Sequence, residues 1–342
     1  MQGELIARAK KMLADGTVNR VLGWRRGQFA YDVTPDVFTT AEDLEKNFVW
    51  NAFCGANLSK YLIAESAKEG KVAVFLKPCD TYSFNQLCTE HRLHRENIYV
   101  IGIPCRGTVS IDGLRERGVE GVISAEAKDG KLLVETIYGN EEYPLADVLP
   151  ERCANCKSWK HAAADELIGE EGEAPESHRF DEVARIEKMT PEERFAFWRS
   201  HLSRCIRCNA CRNVCPACSC EKCVFDNPNS GVQNRAAADD FEENMFHIIR
   251  AFHVAGRCTD CGECSRVCPE HIPLHLLNRK FIKDYNALYG DFTAGAEVGQ
   301  MSPVADFTTD RDAEPGTDSD ADPCSDGGTR ADRDADSDKG TD

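Results

Sequence analysis

The sequence predicts an α/β N-terminal domain, then an all-α domain built around cysteine-rich loops, then a disordered acidic C-terminal tail. Three observations carry this reading. Two apolar runs of the buried-strand type, Lys71–Leu76 and Ile98–Ile103, flank a helical stretch, which is the pattern of a right-handed βαβ unit with parallel strands. Between residues 191 and 290, cysteine-rich loops alternate with helical segments. From Asp291 onward the chain holds 15 acidic and 4 basic residues within a net charge of −17, and few large apolar side chains. The expected boundaries are 1–170 for the α/β domain, 171–190 for a linker, 191–290 for the helical domain and 291–342 for the tail.

Two cysteine runs organise the helical domain. Cys205, Cys208, Cys211 and Cys215 are followed by Pro216; Cys258, Cys261, Cys264 and Cys268 are followed by Pro269. Each has the spacing C-x2-C-x2-C-x3-C-P, the ferredoxin-type signature of a [4Fe–4S] cluster. A cubane offers four irons at tetrahedral corners. Three cysteines at three-residue intervals let one loop supply three of them, and in two-cluster ferredoxins the fourth cysteine of each run ligates the other cluster. The expected ligand sets are therefore Cys205, Cys208, Cys211 and Cys268 for one cluster, and Cys258, Cys261, Cys264 and Cys215 for the second. Structural zinc also uses Cys-x2-Cys pairs, but two tandem four-cysteine runs with trailing proline fit it poorly. Disulfides fit less well still, because the spacing reads as metal and the N-terminus has neither an apolar secretory segment nor a twin arginine. Eighteen cysteines without such a leader point to reduced thiols in the cytoplasm. No apolar run approaches the ~20 residues of a membrane helix, and an acidic chain without a basic stripe argues against nucleic acid.

In chain order, Glu4–Leu13 reads as an amphipathic helix, Val18–Trp24 as a strand and Leu58–Ala67 as a helix. The two strands of the βαβ unit run into Pro78–Cys79 and Pro104–Cys105, with a helix over Ser83–Arg92 between them. Ligands of such sheets bind beyond the carboxyl ends of the strands, where both Pro-Cys turns fall. Gly121–Ser124 and Lys131–Tyr138 suggest a hairpin around Asp129–Gly130. A helix is expected over Lys157–Ile168, from its alanine content. Another is expected from Pro191, with Thr190 as N-cap and Glu193 closing a capping box. Between the two runs, Ala236–Ala255 reads as a long helix whose stripe of Phe241, Met245, Ile248, Ile249 and Phe252 is expected to face the core. Pro273–Leu288 supplies the closing helix. A helical spacer between two cluster runs is similar to the two-cluster modules of larger redox complexes.

Outside these runs, Cys105, Cys153 and Cys156, with Cys79 or Cys54 as fourth, form a candidate third [4Fe–4S] site; the competing reading leaves Cys54 and Cys88 as small buried hydrophobes. Cys218, Cys220 and Cys223 follow the first run closely and suggest a further metal or thiol site. Lys77, Asp80 and Arg106 flank the Pro-Cys turns and are candidates for binding an anionic cofactor, against the plain reading that they are solvated charges.

At Cys79, Cys105, the Cys153–Cys156 pair with Ala164–Asp165, and Cys205–Cys223, the chain resembles the beta subunits of coenzyme F420-reducing hydrogenase and formate dehydrogenase. It is most similar to relatives that carry a ferredoxin-type two-cluster module and accompany hydrogenase or heterodisulfide-reductase-like complexes. The resemblance implies electron transfer between a two-electron carrier and iron–sulfur clusters, with FAD as a further cofactor, although no G-x-G-x-x-G follows a strand here. The leading expectation is an iron–sulfur electron-transfer subunit of a cytoplasmic anaerobic oxidoreductase complex, with other subunits, and a ferredoxin or flavoprotein, as partners. That role needs no protein acid, base or nucleophile. The alternatives are an FAD-dependent subunit acting on F420, NAD(P)H or ferredoxin, and a non-redox module in which metal serves structure.

Overall fold

A computed structural model describes residues 1–173, 176–230 and 240–305. The amphipathic α1 (Gln2–Ala14) lays Leu5, Ala9 and Met12 on the first core. The chain then forms β1 (Arg20–Arg26) and β2 (Val33–Phe38), which pair antiparallel, and α2 (Ala41–Asn47). The expected helix at 58–67 is shorter: a single 3-10 turn precedes α3 (Leu62–Ser66). Next come β3 (Val72–Leu76), α4 (Pro78–Thr89) and β4 (Ile98–Gly102). The five-stranded sheet has the order β2-β1-β3-β4 plus one edge strand, and is parallel except at β2.

Every residue of β3 is buried, as a parallel strand covered on both faces requires. Beneath β1 the rings of Phe38, Phe48 and Phe75 pack in sequence, 6.1 and 5.2 Å apart. The glycine in β1 answers to this packing, since a Cβ at Gly23 would lie 2.8 Å from the Phe48 ring.

The α4 helix begins five residues before the expected Ser83. Pro78 occupies its first turn and the Asp80 carboxylate accepts the Lys77 backbone N–H at 3.4 Å, so the Pro-Cys "turn" is the start of a helix. After α5 (Ile111–Arg115), the expected hairpin is a three-stranded meander, β5 (Val122–Lys128), β6 (Lys131–Thr136) and β7 (Gly139–Pro144), over a second core. The third strand is polar and mostly exposed, which hides it from an apolar pattern. Two short helices, α6 (Leu145–Val148) and α7 (Glu151–Ala154), lead to Cys156.

No helix forms over 157–168. The segment runs as a loop into β8 (Glu166–Leu167), which pairs parallel with β4 at the sheet edge. The open edge of β4 outweighs the helix propensity of the alanines: Asp165 N donates to the Val100 carbonyl at 2.9 Å, and its carboxylate accepts the Val100 N–H at 2.7 Å and Arg95 at 2.6 Å.

The helical half begins inside the expected linker. There α8 (Asp181–Glu187) buries Val183 and Ile186 against Leu276. It continues with α9 (Pro191–Leu202), whose Thr190–Glu193 capping box forms as expected, then α10 (Ala210–Asn213), α11 (Asp240–Val254), α12 (Glu263–Arg266) and α13 (Leu274–Tyr289). The start expected for α11, at 236–239, lies outside the described residues. The apolar stripe of α11 does not face the core. Phe241 and Phe252 are 67% and 62% exposed and Ile248 and Met245 lie outward beside them, while Glu243, Phe246, His247, Arg250 and Val254 point inward.

Residues 291–305, expected to open the disordered tail, pack on the α/β half. Phe292 and Ala294 are buried, and Gly299 N donates to Thr89 Oγ1 at 2.8 Å, so this stretch lies on α4. Gly295, at φ +74°, passes so close to the Tyr82 carbonyl that any Cβ would overlap it. Phe292 supplies the apolar surface that the charge count overlooked. Residues 306–342 lie outside the described residues.

The α/β and helical halves meet through specific polar contacts. Glu263 accepts the Asn57 N–H at 3.1 Å, Ser83 and Thr259 share a hydrogen bond of 2.8 Å, and Arg257 pairs with Glu90 at 2.6 Å. Residues 1–305 accordingly form one contact unit. Replacing Asp165 with alanine frees the β8 edge and leaves the Val100 N–H unpaired. A loss of about 1–3 kcal/mol is expected, read from urea unfolding, with iron content unchanged.

Candidate metal centres

The two cysteine runs fold alike. Arg207 and Asn209 in the first, and Asp260 and Gly262 in the second, all have left-handed φ between 50° and 69°. The reversals coil each loop back on itself before α10 or α12, and Asn and Gly are the residues that tolerate them best. Backbone amides turn toward sulfur in the process: Arg207 N donates to Cys205 Sγ at 3.4 Å. The fourth cysteines, Cys215 and Cys268, end the turns after α10 and α12.

The chain crosses these runs over. Cys205, Cys208, Cys211 and Cys268 line one cavity, closed by Phe246, His247, Ile272 and Leu274. Cys258, Cys261 and Cys264 each feel the charge of Cys215. The two groups abut at Cys211 and Cys264, which share one apolar cluster. Burial pushes Cys205 up to about 12 and Cys264 up to about 11, so these thiols stay protonated unless a cation compensates them. Cys215 is the exception. The Cys218 thiol donates to it and holds it below its ordinary value.

A third group gathers in the α/β half. Cys79 stands on the first turn of α4 and Cys105 just past β4; these are the carboxyl ends of two neighbouring parallel strands. Cys79 is raised by burial and by Cys156 and Cys105 nearby; Cys105 is pushed up to about 12 by burial and by Cys153. Gly107 N and Ser158 N donate to Cys105 and Cys156, each at 3.4 Å, and Thr108 Oγ1 lies 3.6 Å from Cys153 Sγ. Cys54 is fully buried nearby, its sulfur held by Asn51 N at 3.3 Å and facing the Val49 carbonyl.

Cys218 and Cys220 both line a cleft of about 790 Å³ with Lys60 and Arg92, Cys218 being also beside Cys215, whereas Cys223 is beside Arg212.

Spacing separates a single ion from a cluster. Zn–S bonds of about 2.3 Å hold thiolates roughly 4 Å apart. Among the described residues, no three cysteine sulfurs lie within 4.8 Å of one another, and the one ligand-like group that close is Cys205, Glu243 and His247.

Positive charge surrounds these sulfurs, and sequence reading missed most of it. Arg152 donates to the Cys261 carbonyl at 3.3 Å and to Thr108 at 3.1 Å. Lys157 feels the charges of Asp260, Cys258 and Cys156 and is lowered to about 8 by burial. Lys60 donates to the Cys215 carbonyl at 3.1 Å. A signal existed for Arg152, which adjoins Cys153; Lys60 had none. Lys77 and Asp80 are neither solvated nor open to a ligand. Both are buried and paired at 2.9 Å, and the Lys77 ammonium also donates to the Ala56 carbonyl and lies 4.6 Å from the Trp24 ring centroid. Arg106 is exposed, on a cleft of about 680 Å³ shared with Trp50, Cys105 and Gly107.

Comparison with known proteins gives matches in both halves of the chain. The family described as "4Fe-4S dicluster domain" matches residues 201–272, and the family describing the C terminus of the coenzyme F420 hydrogenase/dehydrogenase beta subunit matches residues 69–180. The F420-dependent formate dehydrogenase subunit beta of Methanocaldococcus jannaschii is 25% identical over 340 residues, covering 82% of this chain and 89% of the relative. The subunit beta of F420-dependent formate dehydrogenase 1 of Methanococcus maripaludis is 26% identical, over 65% of this chain and 73% of the relative. Among solved structures, a chain of the F420-reducing [NiFe] hydrogenase complex from Methanosarcina barkeri matches 42% of this chain and 54% of its own length, at 19% identity and a TM-score of 0.34.

An α/β sheet joined to a 4Fe–4S dicluster domain defines an iron–sulfur electron-transfer protein. The chain is similar to the coenzyme F420 hydrogenase/dehydrogenase beta subunit over residues 69–180, and joins to that part a 4Fe–4S dicluster domain over residues 201–272.

The buried Lys77–Asp80 pair yields a stability test. Asp80→Ala strands an ammonium in the core and is expected to cost about 3–5 kcal/mol, while the double variant Lys77→Met/Asp80→Leu recovers most of the loss. Urea unfolding of the three proteins measures both.

Proposed function

We propose that this chain is the electron-relay subunit of a cytoplasmic F420-dependent formate dehydrogenase- or hydrogenase-type complex. In this reading Cys205, Cys208, Cys211 and Cys268 hold one [4Fe–4S] cluster and Cys258, Cys261, Cys264 and Cys215 a second. Cys79, Cys105, Cys153 and Cys156 hold a third, and Cys54 stays a buried thiol. When bound, the clusters supply one-electron steps. The chain's own residues hold them, exclude water and balance their charge.

One observation carries the reading: the three cysteine groups are continuous. Cys153 adjoins Thr108, Thr108 accepts from Arg152, Arg152 reaches the Cys261 carbonyl, and Cys264 packs with Cys211. The order is therefore linear, from the strand ends through the second cluster to the first. Cys208 is exposed at the far end, where the next carrier would meet the wire. Among the described residues no helix is long and apolar enough to cross a membrane.

A second reading adds FAD, making the subunit the point of exchange with F420, NAD(P)H or a ferredoxin. The cleft at Trp50, Cys105 and Arg106 favours it. That cleft lies beyond the carboxyl end of β4, where open α/β sheets bind ligands, and adjoins the third cysteine group. A flavin there would convert a two-electron donor into single electrons for the clusters.

Anaerobically purified protein is expected to hold about twelve irons per chain, four for each cluster. Cys208→Ala and Cys79→Ala should each remove about four, whereas Cys54→Ala and Cys220→Ala should leave iron unchanged. Zinc with negligible iron in the wild type would overturn the relay and favour a structural module. Acid extraction reads the flavin separately: released FAD supports the second reading, and an iron-replete, flavin-free sample supports the plain wire.

A further inference from the structure

Buried polar atoms without partners concentrate on the inward face of α11. His247 Nδ1 and Nε2, Arg250 Nε and Nη1, and Glu243 Oε1 all lack a hydrogen-bond partner. Such atoms are uncommon in folded interiors and costly to bury alone. A guanidinium is costlier still, since its charge cannot be shed.

Arg250 is 3% exposed, and among the described residues no carboxylate pairs with it. Its surroundings are sulfur. One turn further along the same face, Val254 packs against Cys215, Ala217, Cys218 and Cys258. One turn back, Phe246 closes the cavity of Cys205, Cys208, Cys211 and Cys268. The guanidinium thus lies at the junction of the two groups. The groups whose charge it feels most are Cys264, Cys211, Cys215 and Cys218. Other buried arginines of this half have conventional partners: Arg207 pairs with Glu243 at 2.9 Å and Arg279 with Asp260 at 2.8 Å. Arg250 alone among these three has sulfur in their place.

We propose that Arg250 sets the reduction potentials of both ferredoxin-type clusters, acting from the junction as a shared positive charge and N–H···S donor; this rests on the ligand sets proposed above. An all-cysteine [4Fe–4S] cluster is anionic and gains one further negative charge on reduction. A fixed cation between two such clusters favours the reduced form of each, so it raises both potentials, and hydrogen bonds to sulfur act in the same direction. It also weakens the repulsion that a reduced cluster exerts on its neighbour, which keeps the pair usable as consecutive stations. Arg250 is a positioning residue for charge; it makes no bond to iron.

The test compares full-length wild type, Arg250→Gln and Arg250→Lys by iron content and by EPR-monitored redox titration. The Gln variant is expected to keep its iron while both clusters become harder to reduce, by a tenfold or larger change in the reduction equilibrium, about 59 mV for a one-electron couple. The Lys variant, which keeps the charge and loses the planar donor fork, is expected to shift less in the same direction. Unchanged potentials in an iron-replete Gln variant overturn the proposal. If Gln fails to load iron, the Lys variant decides, and unshifted potentials there overturn it. Failure of both variants to load also overturns it, because Arg250 would then serve assembly rather than potential. Wild type without iron would instead sink the ligand assignment, a distinguishable result.

Discussion

The whole structure answers to one electrostatic constraint: sulfur that must carry negative charge in an interior that resists it. A buried thiolate is expensive unless an opposite charge stands near, and the ordinary response is the one seen here, thiols raised by burial until a cation arrives. A metal held there would supply most of that compensation; Arg152 and Arg250 add fixed positive charge beside the sulfurs, and Lys60 and Lys157 add ammonium groups that burial makes easier to discharge. These cations come from both halves of the chain. Arg152 in the α/β half reaches the second cysteine run in the helical half, so charge balance and domain docking are one interaction rather than two.

This dependence explains why the interface is polar. Glu263 caps the arrangement: fully buried, it accepts from Asn57 and pairs with Arg152 and Arg266, and those cations hold its carboxyl below the ordinary range against burial. A hydrophobic interface of the same area would bind the halves together equally well. It would not bring cationic groups to within hydrogen-bond reach of the cysteine loops.

What the sequence made readable was whatever depends on local spacing. The two C-x2-C-x2-C-x3-C-P runs determine their own loop geometry, and the Thr190–Glu193 capping box and the β3–α4–β4 unit are local patterns that form as written. What escaped was decided by distant partners. The alanines after Lys160 read as helix, yet the unpaired edge of β4, some sixty residues earlier in the chain, holds Asp165 beside Val100 and draws Glu166–Leu167 into a strand. The stripe of α11 read as core because apolar residues usually are; its opposite face carries Glu243, His247 and Arg250, which a solvent-facing assignment suits on composition alone. Sulfur on the facing loops, together with the buried Arg207 that pairs with Glu243, makes that polar face the inner one. The Lys77–Asp80 pair fails in the same way, because flanking charges beside a strand end look solvated until Trp24 and Ala56 are seen to cover them.

The segment after α13 has a mechanical consequence. Having left the α/β half near residue 170 and completed the helical half, the chain comes back to rest on α4, with Phe292 buried and Gly299 bonded to Thr89. The two halves are thus tied at both ends of the helical half, like a drawer on two rails. A body held by one linker can swing open; one held by two can only strain. Such a tie restrains the separation between cysteine groups in different halves. Because electron transfer falls off steeply with distance, that short strap acts as a ruler for the relay.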